Sequence, residues 1–68
     1  MKYYIWHKWP GKKNFRCIPA RYSVIEQAIQ AAKYIQLPGD YHIADRKRKR
    51  IYAILRCDNI NGGVREVV

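Results

Sequence analysis

Tyr41-His42-Ile43-Ala44-Asp45-Arg46-Lys47-Arg48-Lys49-Arg50-Ile51-Tyr52-Ala53-Ile54-Leu55-Arg56 sets five consecutive cations between two short apolar runs. Both runs alternate as strands do. Tyr41 and Ile43 share one face of the first; Ile51, Ala53 and Leu55 form an apolar row in the second, with Arg50, Tyr52, Ile54 and Arg56 on the alternate face. The stretch therefore reads as a β-hairpin with a basic tip, its apolar row turned toward a covering element. The tip offers no glycine or asparagine for a residue of positive φ, so it is expected to be strained, mobile, or built on a turn that tolerates lysine.

Upstream, Ile25, Ala28, Ile29, Ala32 and Ile35 recur at helical spacing and form one stripe, with Glu26, Gln27, Gln30 and Lys33 facing water. Ser23 with Glu26 matches a capping box, which predicts a helix start near Ser23. Leu37-Pro38-Gly39 stops the helix, because a residue before proline avoids the α region. Further upstream, Lys2–Trp9 alternates Tyr3, Ile5, His7 and Trp9 against Lys2, Tyr4, Trp6 and Lys8. Pro10-Gly11 predicts a type II turn crowned by Lys12 and Lys13. The return strand Asn14–Ile18 puts Phe15 and Cys17 on one side and Arg16 and Ile18 on the other, and Pro19 is expected to end it at a sheet edge.

The order of these elements predicts an α+β fold: a single ββαββ domain over residues 1–57, with one helix packed on one face of a four-stranded antiparallel sheet. The preference for right-handed crossovers gives the strand order 2-1-3-4. Residues 58–68 read as a tail with some β tendency that could add a short strand, after a turn-like Asp58–Gly63. In this order the two hairpin tips project from opposite ends of the sheet. The uncovered face is left to connect them, collecting Lys2, Tyr4, Trp6, Lys8, Arg16, His42, Arg50, Tyr52 and Arg56.

Composition bears on partners. Against 14 Lys plus Arg stand 5 Asp plus Glu, a formal charge of +9 on 68 residues, which favours nucleic acid or another acidic surface. Hydrophobic residues make up 49% of the chain, enough to expect folding rather than disorder. There is no run long enough for a membrane span or a signal peptide, so a cytoplasmic location and no membrane partner are expected. Cys17 and Cys57 are isolated and expected to be reduced thiols. With His7 and His42 they supply zinc-ligand types without the close pairing that zinc modules use, so no metal and no cofactor is expected. No nucleophile–base pairing or glycine-rich phosphate loop is identifiable, and no enzymatic activity is expected.

The hairpin Gly11–Arg16 followed by Ser23–Ala28 loosely resembles the sheet-plus-helix DNA-binding domains of phage integrases and plant AP2-type factors. Those domains place three strands before the helix; this chain offers two before and two after. The expected function is a small basic nucleic-acid-binding accessory protein. Lys12, Lys13, Arg16, Arg46, Lys47, Arg48, Lys49, Arg50 and Arg56 are its candidate phosphate contacts, and Tyr4, Trp6 and Tyr52 its candidate stacking residues. The alternative is a protein–protein interaction module, or a homodimer through the open sheet face, that binds an acidic partner.

Overall fold

The computed structural model describes residues 2–58 and 63–67. Its elements are β1 (Tyr3–Lys8), β2 (Arg16–Tyr22), α1 (Ile25–Ile35), β3 (Gly39–Ala44), β4 (Ile51–Cys57) and β5 (Arg65–Glu66). All strand pairings are antiparallel, in the order β2-β1-β3-β4-β5. The first four strands stand in the expected order. The sheet has five strands rather than four, because Arg65 and Glu66 pair with Arg56 and Leu55 and Val67 N–H donates to the Ile54 carbonyl at 2.8 Å. Val64, just before β5, is buried in the core and anchors this segment. Of the turn expected at Asp58–Gly63, residues 59–62 lie outside the described residues, as do Met1 and Val68.

The helix-side face gathers Tyr3, Ile5 and His7 from β1, Tyr41 and Ile43 from β3, and Ala53, Leu55 and Cys57 from β4. Register explains the grouping: Ile5 lies opposite Ile43, which lies opposite Ala53, and His7 lies opposite Tyr41, which lies opposite Leu55. Ala28 and Ala32 bring α1 down onto this layer with no exposed surface, while Ile25, Ile29 and Ile35 pack around them. Small side chains at the contact let a helix approach a sheet closely, which is why the stripe alternates alanine with isoleucine.

The helix termini differ from the capping box. α1 begins after an extended Val24 with no side-chain cap, and the Ser23 hydroxyl accepts from Lys2 Nζ at 3.2 Å instead of from the Glu26 amide. At the other end Gln36 takes the left-handed conformation, φ 56°, that a glycine often supplies. Two hydrogen bonds fix the link that follows. Tyr41 Oη donates to the Leu37 carbonyl at 2.6 Å, and His7, 5% exposed, lies with Nε2 2.8 Å from the Pro38 carbonyl oxygen, which makes Nε2 the protonated nitrogen. Burial pushes the Tyr41 hydroxyl up to about 12.

Two irregularities interrupt the ladders, and the second resets strand phase. Pro19 does not end β2, which continues to Tyr22. Between the pairs Tyr4–Arg21 and Trp6–Cys17, β1 has Ile5 alone where β2 has Ile18, Pro19 and Ala20, so the proline sits in a bulge on an edge strand, where its missing N–H costs no ladder bond. In β4, Ala53 pairs with Ile43 and Ile51 with Ala44, which leaves Tyr52 as an extra residue. The apolar row expected from Ile51 through Leu55 is broken there. Ile51 shares a face with Ala44, away from the helix, and is 44% exposed.

Candidate nucleic-acid interface

Register orders the face opposite the helix into three rows. Arg21, Tyr4, Ala44 and Ile51 form the first; Cys17, Trp6, His42 and Ile54 the second; Lys8, Asp40, Arg56 and Arg65 the third. The third row is largely self-compensated. Asp40 lies 3.5 Å from Lys8 Nζ and 3.0 Å from Arg56 Nε, and Arg65 pairs with Asp58. Such exposed pairs contribute at most about 1 kcal/mol each, so they orient Lys8 and Arg56 more than they stabilise the fold.

The middle row is covered from both ends of the sheet. Phe15 precedes β2 and folds across to His42, ring centroids 4.2 Å apart and planes 22° from parallel. Arg48 reaches back from the β3–β4 tip, its guanidinium carbon 4.2 Å from the Phe15 ring centroid and 5.8 Å from that of Trp6. Lys8 Nζ lies 5.5 Å from the same phenyl ring. The two hairpin ends, which topology keeps apart, therefore meet over the centre of the face through one side chain each.

Asp45 makes this reach possible. Its carboxylate accepts from the Lys49 amide at 2.8 Å, and its carbonyl accepts from the Arg48 amide at 3.0 Å and from Trp6 Nε1 at 3.1 Å. The turn is thereby set with Arg48 at φ 55°, a left-handed conformation that costs a non-glycine residue about 1–2 kcal/mol. A further cost lies beneath Phe15. His42 Nδ1 is buried with no hydrogen-bond partner among the described residues, and an orphaned polar atom costs about 1–3 kcal/mol. Against these stand a ring stack of about 0.5–1.5 kcal/mol and a cation–π contact of about 0.5–2 kcal/mol, with the partial burial of Phe15. The opposing contributions are of similar size.

Burial lowers the pKa of His42 from the ordinary histidine value of 6.5, and the charges of Arg48 and Lys8 act the same way against the opposing pull of Asp40. The ring beneath Phe15 is held neutral. Partial desolvation raises the pKa of the Cys17 thiol, with Arg46 opposing, so Cys17 is not an activated nucleophile. His7 and Cys57 lie under the helix and Cys17 and His42 on the opposite face, so these four side chains do not converge; no metal-binding cluster occurs among the described residues.

The expected contact residues divide into three groups. Tyr4, Trp6 and Arg56 lie on the face as read from the sequence, and Arg48 joins them by folding back. Arg46, Lys47, Lys49 and Arg50 remain exposed at the tip, with Lys12 and Lys13 exposed at the far end. Arg16 and Tyr52 lie elsewhere. Arg16 pairs opposite His7 and so belongs to the helix-side phase, and the β4 bulge turns Tyr52 edge-on against Tyr3, centroids 5.1 Å apart, with Arg50 over its ring. Phe15 and Asp45 carried no expected role, and His42, expected on the open face as a surface residue, is half-buried there beneath Phe15. Alternation had grouped Phe15 with Cys17 on the side away from Arg16, which was expected on the open face; the register reverses that assignment, setting Cys17 opposite Trp6 and Arg16 opposite His7. No family model, curated protein or solved structure matches the chain. No helix among the described residues is long and apolar enough to cross a membrane.

Proposed function

We propose that the protein binds single-stranded nucleic acid along the face opposite the helix, as a non-enzymatic accessory protein, with the phosphodiester backbone on the cations of the two hairpin ends and bases against the aromatic middle row. The observation that carries this reading is a cationic tip without ion-pair partners among the described residues, beside the half-buried aromatics Tyr4, Trp6 and Phe15. The ion pairs among the described residues engage Lys8, Arg56 and Arg65, while Arg46, Lys47, Lys49 and Arg50 stay in water, where like charges repel unless an anion screens them. A flat sheet surface of arginine and aromatic rings is suited to unpaired bases, each stack contributing roughly 1–3 kcal/mol.

Fluorescence anisotropy with labelled single-stranded DNA, RNA and duplex at low salt tests the reading. Micromolar protein is expected to bind single strands, with an affinity that falls as salt rises. The variant Arg46→Gln/Lys47→Gln/Lys49→Gln leaves the Arg48 contact in place and is expected to lower the salt slope by about 2, the value for three phosphate contacts on a single strand. Absence of binding to any of the three nucleic acids would end the proposal.

A second reading rests on the β4–β5 margin of the same face. Ile51, Ile54 and Val67 are 44%, 42% and 44% exposed along the β4–β5 side, an apolar strip that suits self-association. Light scattering coupled to size exclusion measures it directly: a dimer that dissociates in an Ile54→Lys variant would favour this role.

A further inference from the structure

The middle row of the open face is occupied by the protein's own side chains, and their geometry resembles that of a ligand. Phe15 lies nearly parallel to the His42 imidazole at 4.2 Å, with the Arg48 guanidinium 4.2 Å from its centroid. Unpaired nucleobases stack on aromatic rings, histidine among them, and on arginine planes in the same face-to-face manner. We propose that Phe15 holds the place of an unpaired single-ring base, and that a single strand binds by displacing this phenyl ring from His42 and Arg48. The proposal rests on the nucleic-acid reading above and specifies how and with which base class it operates.

Three features make Phe15 displaceable. The first paired residue of β2 on this side is Arg16, so Phe15 lies outside the ladder and its departure breaks no strand pairing. It ends an irregular stretch, residues 12–15, entered through the turn in which the Lys12 amide bonds the Trp9 carbonyl at 3.1 Å. It is held by contacts to the His42 ring and the Arg48 guanidinium rather than by any hydrogen bond to its side chain.

The slot also carries the charge a nucleotide requires. Arg48 and Lys8 border the phenyl ring, at 4.2 and 5.5 Å from its centroid, so a base in its place would bring its phosphate between two cations. Asp40 lies in the same area but is engaged by Lys8 and Arg56. A phenyl and a pyrimidine have the same ring size, whereas a purine is one ring larger than the group it would replace. Pyrimidine strands are therefore preferred over purine strands.

The experiment compares wild type with Phe15→Ala by anisotropy, using three probes of equal length: a thymidylate oligomer, an adenylate oligomer and an abasic deoxyribose-phosphate oligomer. If the ring competes with the base, the binding-competent fraction rises when it is removed, and Phe15→Ala binds the thymidylate oligomer at least about threefold more tightly, with no gain on the abasic strand. Weaker binding by Phe15→Ala would make Phe15 a platform residue and overturn the proposal while leaving nucleic-acid binding intact. An equal gain on the abasic strand would overturn it too, by showing that the slot takes the phosphate backbone without a base. No binding by either protein to any probe would remove the underlying reading as well. Wild-type protein gives an independent readout: on titration with the thymidylate oligomer, the proton nuclear Overhauser contacts between the Phe15 and His42 rings are expected to disappear. Their persistence at saturation would refute displacement.

Discussion

Under the helix, Ile5, Ile43 and Leu55 are fully buried in a layer whose buried polar member among the described residues is His7, itself hydrogen-bonded to Pro38. On the other face the corresponding middle row is covered by one phenyl ring and one guanidinium. The first closure is made by an element with eleven residues and a repeating stripe; the second is made by two side chains from irregular segments. A face closed by a helix reopens only when the domain unfolds, whereas a face closed by two side chains reopens at the cost of those contacts alone.

Several substitutions would break or sharpen this contrast. Gly39, at φ +123°, has the largest expected effect, because an added Cβ would lie 2.0 Å from the Lys8 carbonyl oxygen and the β1–β3 seam could not close. Gly39→Ala is expected to cost at least about 3 kcal/mol, or to leave no cooperative transition in thermal circular dichroism. Leu55→Ala, within the helix-side layer, should lower stability by about 2–5 kcal/mol in urea titration. Phe15→Ala should cost only about 1 kcal/mol and at the same time make Trp6 fluorescence easier to quench with acrylamide. If the losses for Phe15 and Leu55 proved equal, the two faces would be closed equally firmly and the contrast would disappear.

The smallest effect concerns pH. The pKa of His42 is lower in the folded protein than in the unfolded chain, because burial and the charges of Arg48 and Lys8 disfavour the imidazolium. Below the ordinary histidine value of 6.5 the unfolded chain therefore binds more protons than the folded one, and stability present above that pH is lost as pH falls toward the folded pKa. His42→Phe should flatten this part of the stability profile, measured by denaturant midpoints across the acid range. A profile unchanged by the substitution would show that His42 carries no such penalty.

The helix side was largely legible in the chain. A stripe at Ile25, Ala28, Ile29, Ala32 and Ile35, and alternation through Tyr3, Ile5 and His7, are periodic signals, and periodicity is what secondary structure writes into sequence. The open face was legible only in outline. The bulge at Tyr52 changes phase without a local marker strong enough to reveal the shift, which is how Tyr52 came to be expected beside Trp6. Arg48 could not be singled out from its neighbours because its position depends on what Asp45 does with Lys49, Arg48 and Trp6 at once, a tertiary arrangement with no period. β5 was underestimated for a related reason: two residues are too few to alternate, and it is Val64 in the core that fixes them.

The β1–β3 seam has a consequence for the order in which the molecule is assembled. β1 pairs with β2 through a nearby turn and β3 with β4 through another, so each half closes a short loop; Tyr4 opposite Ala44 and Lys8 opposite Asp40 join positions more than thirty apart in the chain. Entropy of closure favours the local pairs and penalises the distant one. Folding is then expected to proceed as a collision between two hairpins tethered by α1, with the seam forming at the rate-limiting step. A conservative truncation in the seam, such as Ile5→Val, should slow refolding in stopped-flow experiments, whereas one at the β4–β5 margin, such as Val64→Ala, should chiefly hasten unfolding.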